Sequence, residues 1–151
     1  MLFRSQAREV HAQMNLSVKV IPTQLISAYW VQLSVFIEDA LRESESTEYN
    51  LNNVRNFLDT GTWSAIGFFD DELGLRGAAT VTILNYPQER IAFVTTIGGK
   101  GLTNEHNWQQ LRDICKAAGC SKLQAYSRDS VARLWKQIGF RDRAILVEAD
   151  V

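Results

Sequence analysis

Three apolar runs follow one another with almost nothing between them: "TWSAIGFFD" over 62–70, "GLRGAATVTILNY" over 74–86 and "RIAFVTTIG" over 90–98. The first ends in the acidic turn Asp70 to Glu72, and the second stops at Pro87. Each is rich in β-branched or aromatic residues and reads as a strand. A parallel pairing needs a crossover of about a dozen residues or more, which these short connections do not have. The three runs must therefore pair as an antiparallel meander, and the rest of the chain has to build around that sheet.

Ahead of it, "LSVKVI" over 16–21 alternates apolar and polar residues and predicts another strand. Pro22 suits the first turn of a helix. Apolar residues at Leu25, Ile26, Tyr29, Trp30, Leu33, Phe36, Ile37, Ala40 and Leu41 then recur at helical spacing, so a long helix with a wide buried face is expected. The polar run Glu43 to Asn50 breaks it. Leu51, Val54, Phe57 and Leu58 make a second, shorter helix with Gly61 as its stop. Beyond the meander, Trp108, Leu111, Ile114 and Cys115 share a helix face that ends near Gly119. "SKLQAYS" predicts a strand, "DSVARLWKQIG" a short helix stopped by Gly139, and "RAILVEADV" a closing strand. A meander feeding a strand–helix–strand unit gives an α/β (α+β) domain over 16–151, with a mixed, mostly antiparallel central sheet and helices on both faces. Residues 1–15 precede it as an N-terminal arm. Leu2, Phe3, Val10 and Met14 can form one face of a short helix there, which predicts either a frayed start or an arm that docks on a protein partner.

The chain has 151 residues, 46% of them hydrophobic, enough for a full core, and a formal charge of −1. That balance argues against a general nucleic-acid binder. No apolar run is long enough to span a bilayer, and the start lacks an apolar signal core, so a cytoplasmic location is expected. Cys115 and Cys120 read as reduced thiols. With His11 and His106 the only histidines, they are poor material for a zinc site.

The candidate chemistry sits at "TTIGGKGLTNE", Thr95 to Glu105, between the last meander strand and a helix. A helix start presents unpaired N–H groups and partial positive charge to an anion, and glycines let the backbone approach phosphate oxygens. Lys100 adds a point charge. The spacing is neither that of the glycine–lysine loop of nucleotide hydrolases nor that of the dinucleotide fingerprint. On these residues alone the segment is either a phosphate cradle or a turn.

The order of elements from Leu16 onward resembles the GNAT N-acetyltransferases, which depend on acetyl-coenzyme A, and two segments carry the resemblance. "GGKGLT", Gly98 to Thr103, is similar to the family's Arg/Gln-x-x-Gly-x-Gly/Ala loop. Gly99, Lys100, Gly101 and Leu102 match it; Gly98 stands in place of Arg or Gln, and Thr103 in place of the last small residue. "RDSVARLWKQIGF", Arg128 to Phe140, is similar to the segment beside the coenzyme's pantetheine arm. Leu134, Gly139 and Phe140 match, whereas Arg128, Val131 and Trp135 replace asparagine, alanine and tyrosine. The resemblance implies a GNAT-like fold and acetyl-CoA held by Ile97, Gly98, Gly99, Lys100, Gly101, Leu102, Thr103 and Arg128. It also implies an amine acceptor and no metal.

The tyrosine that Trp135 replaces commonly gives the family its general acid, and an indole cannot give up its proton at neutral pH. No carboxylate lies within "RIAFVTTIG" to serve as base. Glu89, Tyr126 and His106 are the other titratable candidates near the site; each also reads as an ordinary turn, strand-end or helix-start residue. Arg128, Arg133, Lys136, Arg141 and Arg143 form a basic stretch that can flank phosphates, meet a partner or simply face solvent. The acidic run Glu38 to Glu48 reads as a solvated helix end, and Tyr29, Trp30 and Phe36 as core. Beside a fold-only match with an unrelated small ligand, two functional readings follow. One is an acyl-CoA-dependent N-acetyltransferase with degenerate cofactor and catalytic motifs. The other is a catalytically silent GNAT-fold structural or binding protein. Short chains of this kind resemble small tailed-phage proteins, which implies a virion or assembly component whose N-terminal arm meets protein partners.

Overall fold

The computed structural model describes residues 15–72 and 74–151. The helix expected within the N-terminal arm lies outside them. Five strands form one sheet: β1 (Ser17–Ile21), β2 (Ser64–Phe69), β3 (Leu75–Asn85), β4 (Arg90–Gly99) and β5 (Lys122–Ala125). They stand in sequence order, β1-β2-β3-β4-β5. The first four are antiparallel neighbours, and β5 joins β4 in parallel. The meander and the mixed, mostly antiparallel sheet are as the sequence predicts.

The helices are α1 (Ile26–Glu43), α2 (Leu51–Asp59), α3 (Glu105–Ala117) and α4 (Asp129–Lys136). Pro22 opens a 3-10 turn, Thr23–Leu25, ahead of α1. In α1 the buried residues Ile26, Leu33, Ile37 and Ala40 fall on one helical stripe. With Val54 and Leu58 of α2, Ile26, Leu33 and Ile37 pack on Ala65, Phe69 and Ala78 of the sheet. The other face carries Val18, Ile66, Phe68, Ala79, Val81, Ala92 and Val94, covered by Leu111 and Cys115 of α3. Helices thus lie on both faces. Tyr29, Trp30 and Phe36 pack around the first core rather than within it, and Trp30 also takes the Arg55 guanidinium 4.9 Å over its ring.

Local chemistry fixes the ends of these elements. Asn50 and Asn53 exchange side-chain and backbone bonds of 2.9 and 3.0 Å in a capping box at α2. At the β2–β3 turn Asp70 accepts from the N–H groups of Gly74 (2.8 Å) and Glu72 (3.0 Å) and from Arg76 Nε (2.7 Å). The Gly74 bond leads in holding its carboxyl below the usual aspartate range, with Arg76 assisting.

One expected element is absent. "RAILVEADV" was to close the chain as a strand, yet residues 140–151 carry no regular structure. Strand preference is a preference for a pleated, half-buried surface, and this segment has no neighbouring strand to supply one.

Both cysteines are free, Cys115 buried and Cys120 half-buried. Burial, with Cys120 adding to it, pushes the Cys115 thiol up to about 11. A thiol-specific reagent at mildly alkaline pH is therefore expected to label native protein at Cys120, with Cys115 reacting only on unfolding. Rapid modification of both sites, read by mass spectrometry, would contradict this.

Candidate functional site

The site is organised by an irregularity in β4. Thr80 pairs with Thr96 and Val81 with Val94, so Thr95 is an extra residue and β4 bulges there. Pairing with β5 stops at Val94–Ala125, immediately before the bulge. The last five residues of β4 therefore run on beyond the pairing with β5. At the bulge Thr80 Oγ1 lies 2.7 Å from Thr95 Oγ1 and 2.6 Å from Thr96 Oγ1, and the Thr95 hydroxyl donates to the Thr80 carbonyl at 3.0 Å.

Gly98 and Gly99 belong to this strand rather than to the loop, paired with Ala78 and Gly77. The loop is only Lys100 to Asn104. Asn104 caps α3, its side chain accepting from the Asn107 N–H at 2.9 Å. Side chains at Gly77, Gly98 and Gly99 would meet neighbouring protein atoms. A Cβ at Gly98 would lie 2.2 Å from the Phe36 carbonyl oxygen of α1. One at Gly99 would lie 2.8 Å from Arg76 O and Gly77 Cα, and 3.1 Å from Leu102 Cδ1. One at Gly77 would lie 2.6 Å from the same Leu102 methyl. Leu102 is buried on a floor of two glycines, and α1 presses on a third. Positive φ at Gly99 (123°) and Gly101 (70°) makes the turn that delivers Leu102 there. Internal packing thus accounts for Gly98 and Gly99, and a positive φ for Gly101.

Behind Leu102, Asn107 is fully buried. It donates Nδ2–H to the Leu102 carbonyl (3.0 Å) and accepts the Leu16 N–H at Oδ1 (2.9 Å). Gln110, one turn on, accepts from the Val18 N–H (3.0 Å) and donates to the Leu16 carbonyl (2.7 Å). Two amide side chains of α3 therefore hold the start of β1, and Asn107 fixes the loop at the same time.

Two spaces flank the end of β4. On the α1 side a cavity of about 340 Å³ is lined by Phe36, Asp39, Glu43, Ile97, Gly98, Gly99 and Lys100. Two carboxylates and one lysine line it, and the Arg42 guanidinium lies 3.3 Å from the Asp39 carboxylate, so both signs of charge meet at this space. On the other side, between the loop and α4, lies a crevice of about 10 Å³ bounded by Ile97, Leu102, Thr103, Trp108, Trp135 and Ile138. That is the space of about one water molecule. Trp135 and Trp108 both pack on the Phe140 ring, with centroids 4.9 and 4.7 Å apart. The resemblance sets the pantetheine arm beside this helix, where the crevice has the space of about one water molecule.

The structure brings the expected cofactor residues Ile97 to Thr103 together with Trp135. The other residues make contacts of their own. Arg128, at the start of α4, pairs with Glu45 at 3.8 Å, both side chains exposed. Glu89 pairs with Lys122 at the opposite end of β4, on the order of 30 Å along the strand from the glycines. Tyr126 is exposed beyond the end of β5, edge-on to Phe93 with centroids 5.1 Å apart. His106 is exposed in the first turn of α3. Asp39 and Glu43 are solvated near the helix end, as the sequence reading has them, but that reading missed that they also line this cavity. The signal was present: Phe36, Asp39 and Glu43 stand at i, i+3 and i+7 and so share one helix face.

No protein-family model matches the chain, and no curated protein sequence matches it. Solved structures do. An aminoglycoside acetyltransferase from an uncultured soil metagenomic sample, in complex with sisomicin, superposes with a TM-score of 0.66 at 7% identity, covering 91% of this chain and 97% of that one. A second aminoglycoside acetyltransferase from such a sample gives 0.64 at 13%, covering 91% and 99%. An acetyltransferase of Trypanosoma brucei gives 0.56 at 14%, covering 90% and 99%. At these identities the likeness is one of fold, and the fold is that of the GNAT acetyltransferases. Among the described residues no helix is long and apolar enough to cross a membrane.

Proposed function

We propose that this chain uses the acetyltransferase fold as a binding scaffold and does not turn over acetyl-CoA. The observation that carries this reading is the narrowness of the crevice between Leu102 and Trp135, about 10 Å³, beside the helix to which the resemblance assigns the coenzyme's arm. Three further features agree with it. Gly98 has α1 backbone where the family's Arg or Gln side chain would begin. Trp135 cannot act as the acid that a tyrosine supplies. The cavity beside Lys100 carries two carboxylates toward any pyrophosphate. The partner expected is a protein within an assembly, such as a virion, and the N-terminal arm is the segment proposed to reach it.

A second reading, an active N-acetyltransferase, is favoured by that same cavity. Asp39 and Glu43 beside the end of β4 suit a cationic amine acceptor of the kind that aminoglycosides exemplify. Calorimetric titration with acetyl-CoA separates the two. No heat at millimolar ligand, and no acetylated product in a mass-spectrometric screen of polyamines and aminoglycosides, is the expected result. Micromolar binding that Gly101→Asp abolishes would overturn the scaffold reading in favour of the enzyme.

A further inference from the structure

The chain reverses at the end of α3 through a fixed set of backbone bonds. The Gly119 N–H donates to the Lys116 carbonyl at 3.0 Å, and the Cys120 N–H donates to the Cys115 carbonyl at 3.0 Å. Gly119 makes the reversal with a φ of 82°. These two bonds around a left-handed glycine define a Schellman motif. Its hydrophobic contact joins the third residue before the helix cap to the second residue after it. The cap is Ala118, so those two positions are Cys115 and Cys120.

The backbone sets this pair at bridging distance. With standard bond lengths, the bond from Cys120 N to Cys115 O keeps the two Cα atoms within about 7 Å of each other. A disulfide spans Cα atoms about 4.4–6.8 Å apart. The side chains agree, since Cys115 belongs to the core cluster under α3 and Cys120 packs against that cluster. Burial and then Cys120 raise the Cys115 thiol, so the two sulfurs lie close enough to interact. Arg90 of β4 holds the same corner from outside. Its Nε–H donates to the Ala118 carbonyl, and its own carbonyl accepts the Ser121 N–H, both at 2.9 Å. Cys115 is buried and Cys120 half-buried, so a small oxidant meets Cys120 first.

We propose that Cys115 and Cys120 form a two-electron oxidation site, which a hydroperoxide such as hydrogen peroxide closes to a disulfide. The Cys120 thiol takes one peroxide oxygen as a sulfenic acid, and the other oxygen leaves as water. The Cys115 sulfur then attacks the Cys120 sulfur. The S–S bond forms, and the hydroxyl leaves as a second water with the Cys115 proton. Contact makes up for the small thiolate share of a buried thiol. The bond ties the end of α3 to the approach of β5, and it withdraws Cys120 from further oxidation to a charged sulfinate beside the core. The site stands apart from the acyl-CoA question, since neither cysteine lines the crevice or the acidic cavity.

Peptide mapping of the full chain after hydrogen peroxide tests it, with remaining thiols alkylated on unfolding. Trypsin cuts after Arg112, Lys116 and Lys122, so the two cysteines fall on separate peptides, 113–116 and 117–122. Mass spectrometry is expected to find these peptides joined, and dithiothreitol to separate them. Non-reducing denaturing electrophoresis is expected to show a single chain. Cys115→Ala is expected to leave Cys120 as a sulfenic acid that dimedone traps, and Cys120→Ala to leave Cys115 unmodified. Gly119→Val keeps both thiols but strains the φ on which the motif depends, and is expected to slow bridge formation several-fold. Unjoined peptides with Cys120 carried on to the sulfinic acid, or a bridge found only between chains, overturns the proposal. So does a Gly119→Val rate equal to that of the wild type.

Discussion

Gly98→Ala is expected to destabilise the protein by about 3 kcal/mol or more, at the upper end of what overpacking does. The added methyl would sit 2.2 Å from the Phe36 oxygen, 2.9 Å from its carbonyl carbon and 3.2 Å from its Cα. All three are backbone atoms of α1, so no side chain can turn aside to make room. Relief requires the helix to move off β4, which loosens Leu33 and Ile37, the most completely buried residues of that interface. A fall in melting temperature of about 10 °C follows for a domain of this size. Lys100→Ala, an exposed change two residues away, serves as the control and is expected to stay within about 0.5 kcal/mol. A melting temperature for Gly98→Ala within two degrees of wild type would mean that α1 does not bear on β4 as described. The same geometry has a sharper form. Gly98→Arg restores the residue that acetyltransferases carry there, yet is expected to unfold the protein rather than create a coenzyme site.

Asn107→Leu is expected to lower stability by about 2–5 kcal/mol, the sum of leaving two buried groups unpaired. One is the Leu16 N–H at the edge of the sheet, the other the Leu102 carbonyl in the loop. Asn107→Asp keeps the acceptor for Leu16 but sets a carboxylate against the Leu102 carbonyl, so it should also destabilise, and more at neutral than at acid pH. Denaturant unfolding at both pH values distinguishes the two substitutions. Equal stability of Asn107→Leu and wild type would show that this amide does not hold the two elements together.

These two residues mark what could and could not be read from the sequence. The meander was legible because "SAIGFF", "LRGAATVTILN" and "RIAFVTTIGG" carry strand chemistry with turns too short for any other pairing. The long helix was legible from its stripe. The glycine corner was legible as a position and not as a structure. In sequence a glycine that admits a phosphate looks the same as one that admits a helix, and only the approach of the Phe36 carbonyl tells them apart. Asn107 was invisible because its partners lie five and 91 residues away. The acidic pair on α1 was read as solvated, since nothing local says that Gly98 and Lys100 will lie opposite. The closing strand failed for the opposite reason: its local pattern is strong, but a strand needs a neighbour, and pattern alone does not supply one.

The three hydroxyls at the bulge are not interchangeable, although "TTIGG" gives no hint of it. Each threonine has a single proton to donate. Thr95 spends its proton on the Thr80 carbonyl, so Thr80 must donate to Thr95, and Thr96 must donate to Thr80. The bonds therefore run one way, from Thr96 through Thr80 and Thr95 to a backbone oxygen. Valine at Thr96 removes only the head of that relay. Valine at Thr95 strips the acceptor from a fully buried hydroxyl and the donor from a carbonyl at once, so two adjacent and identical letters carry unequal weight.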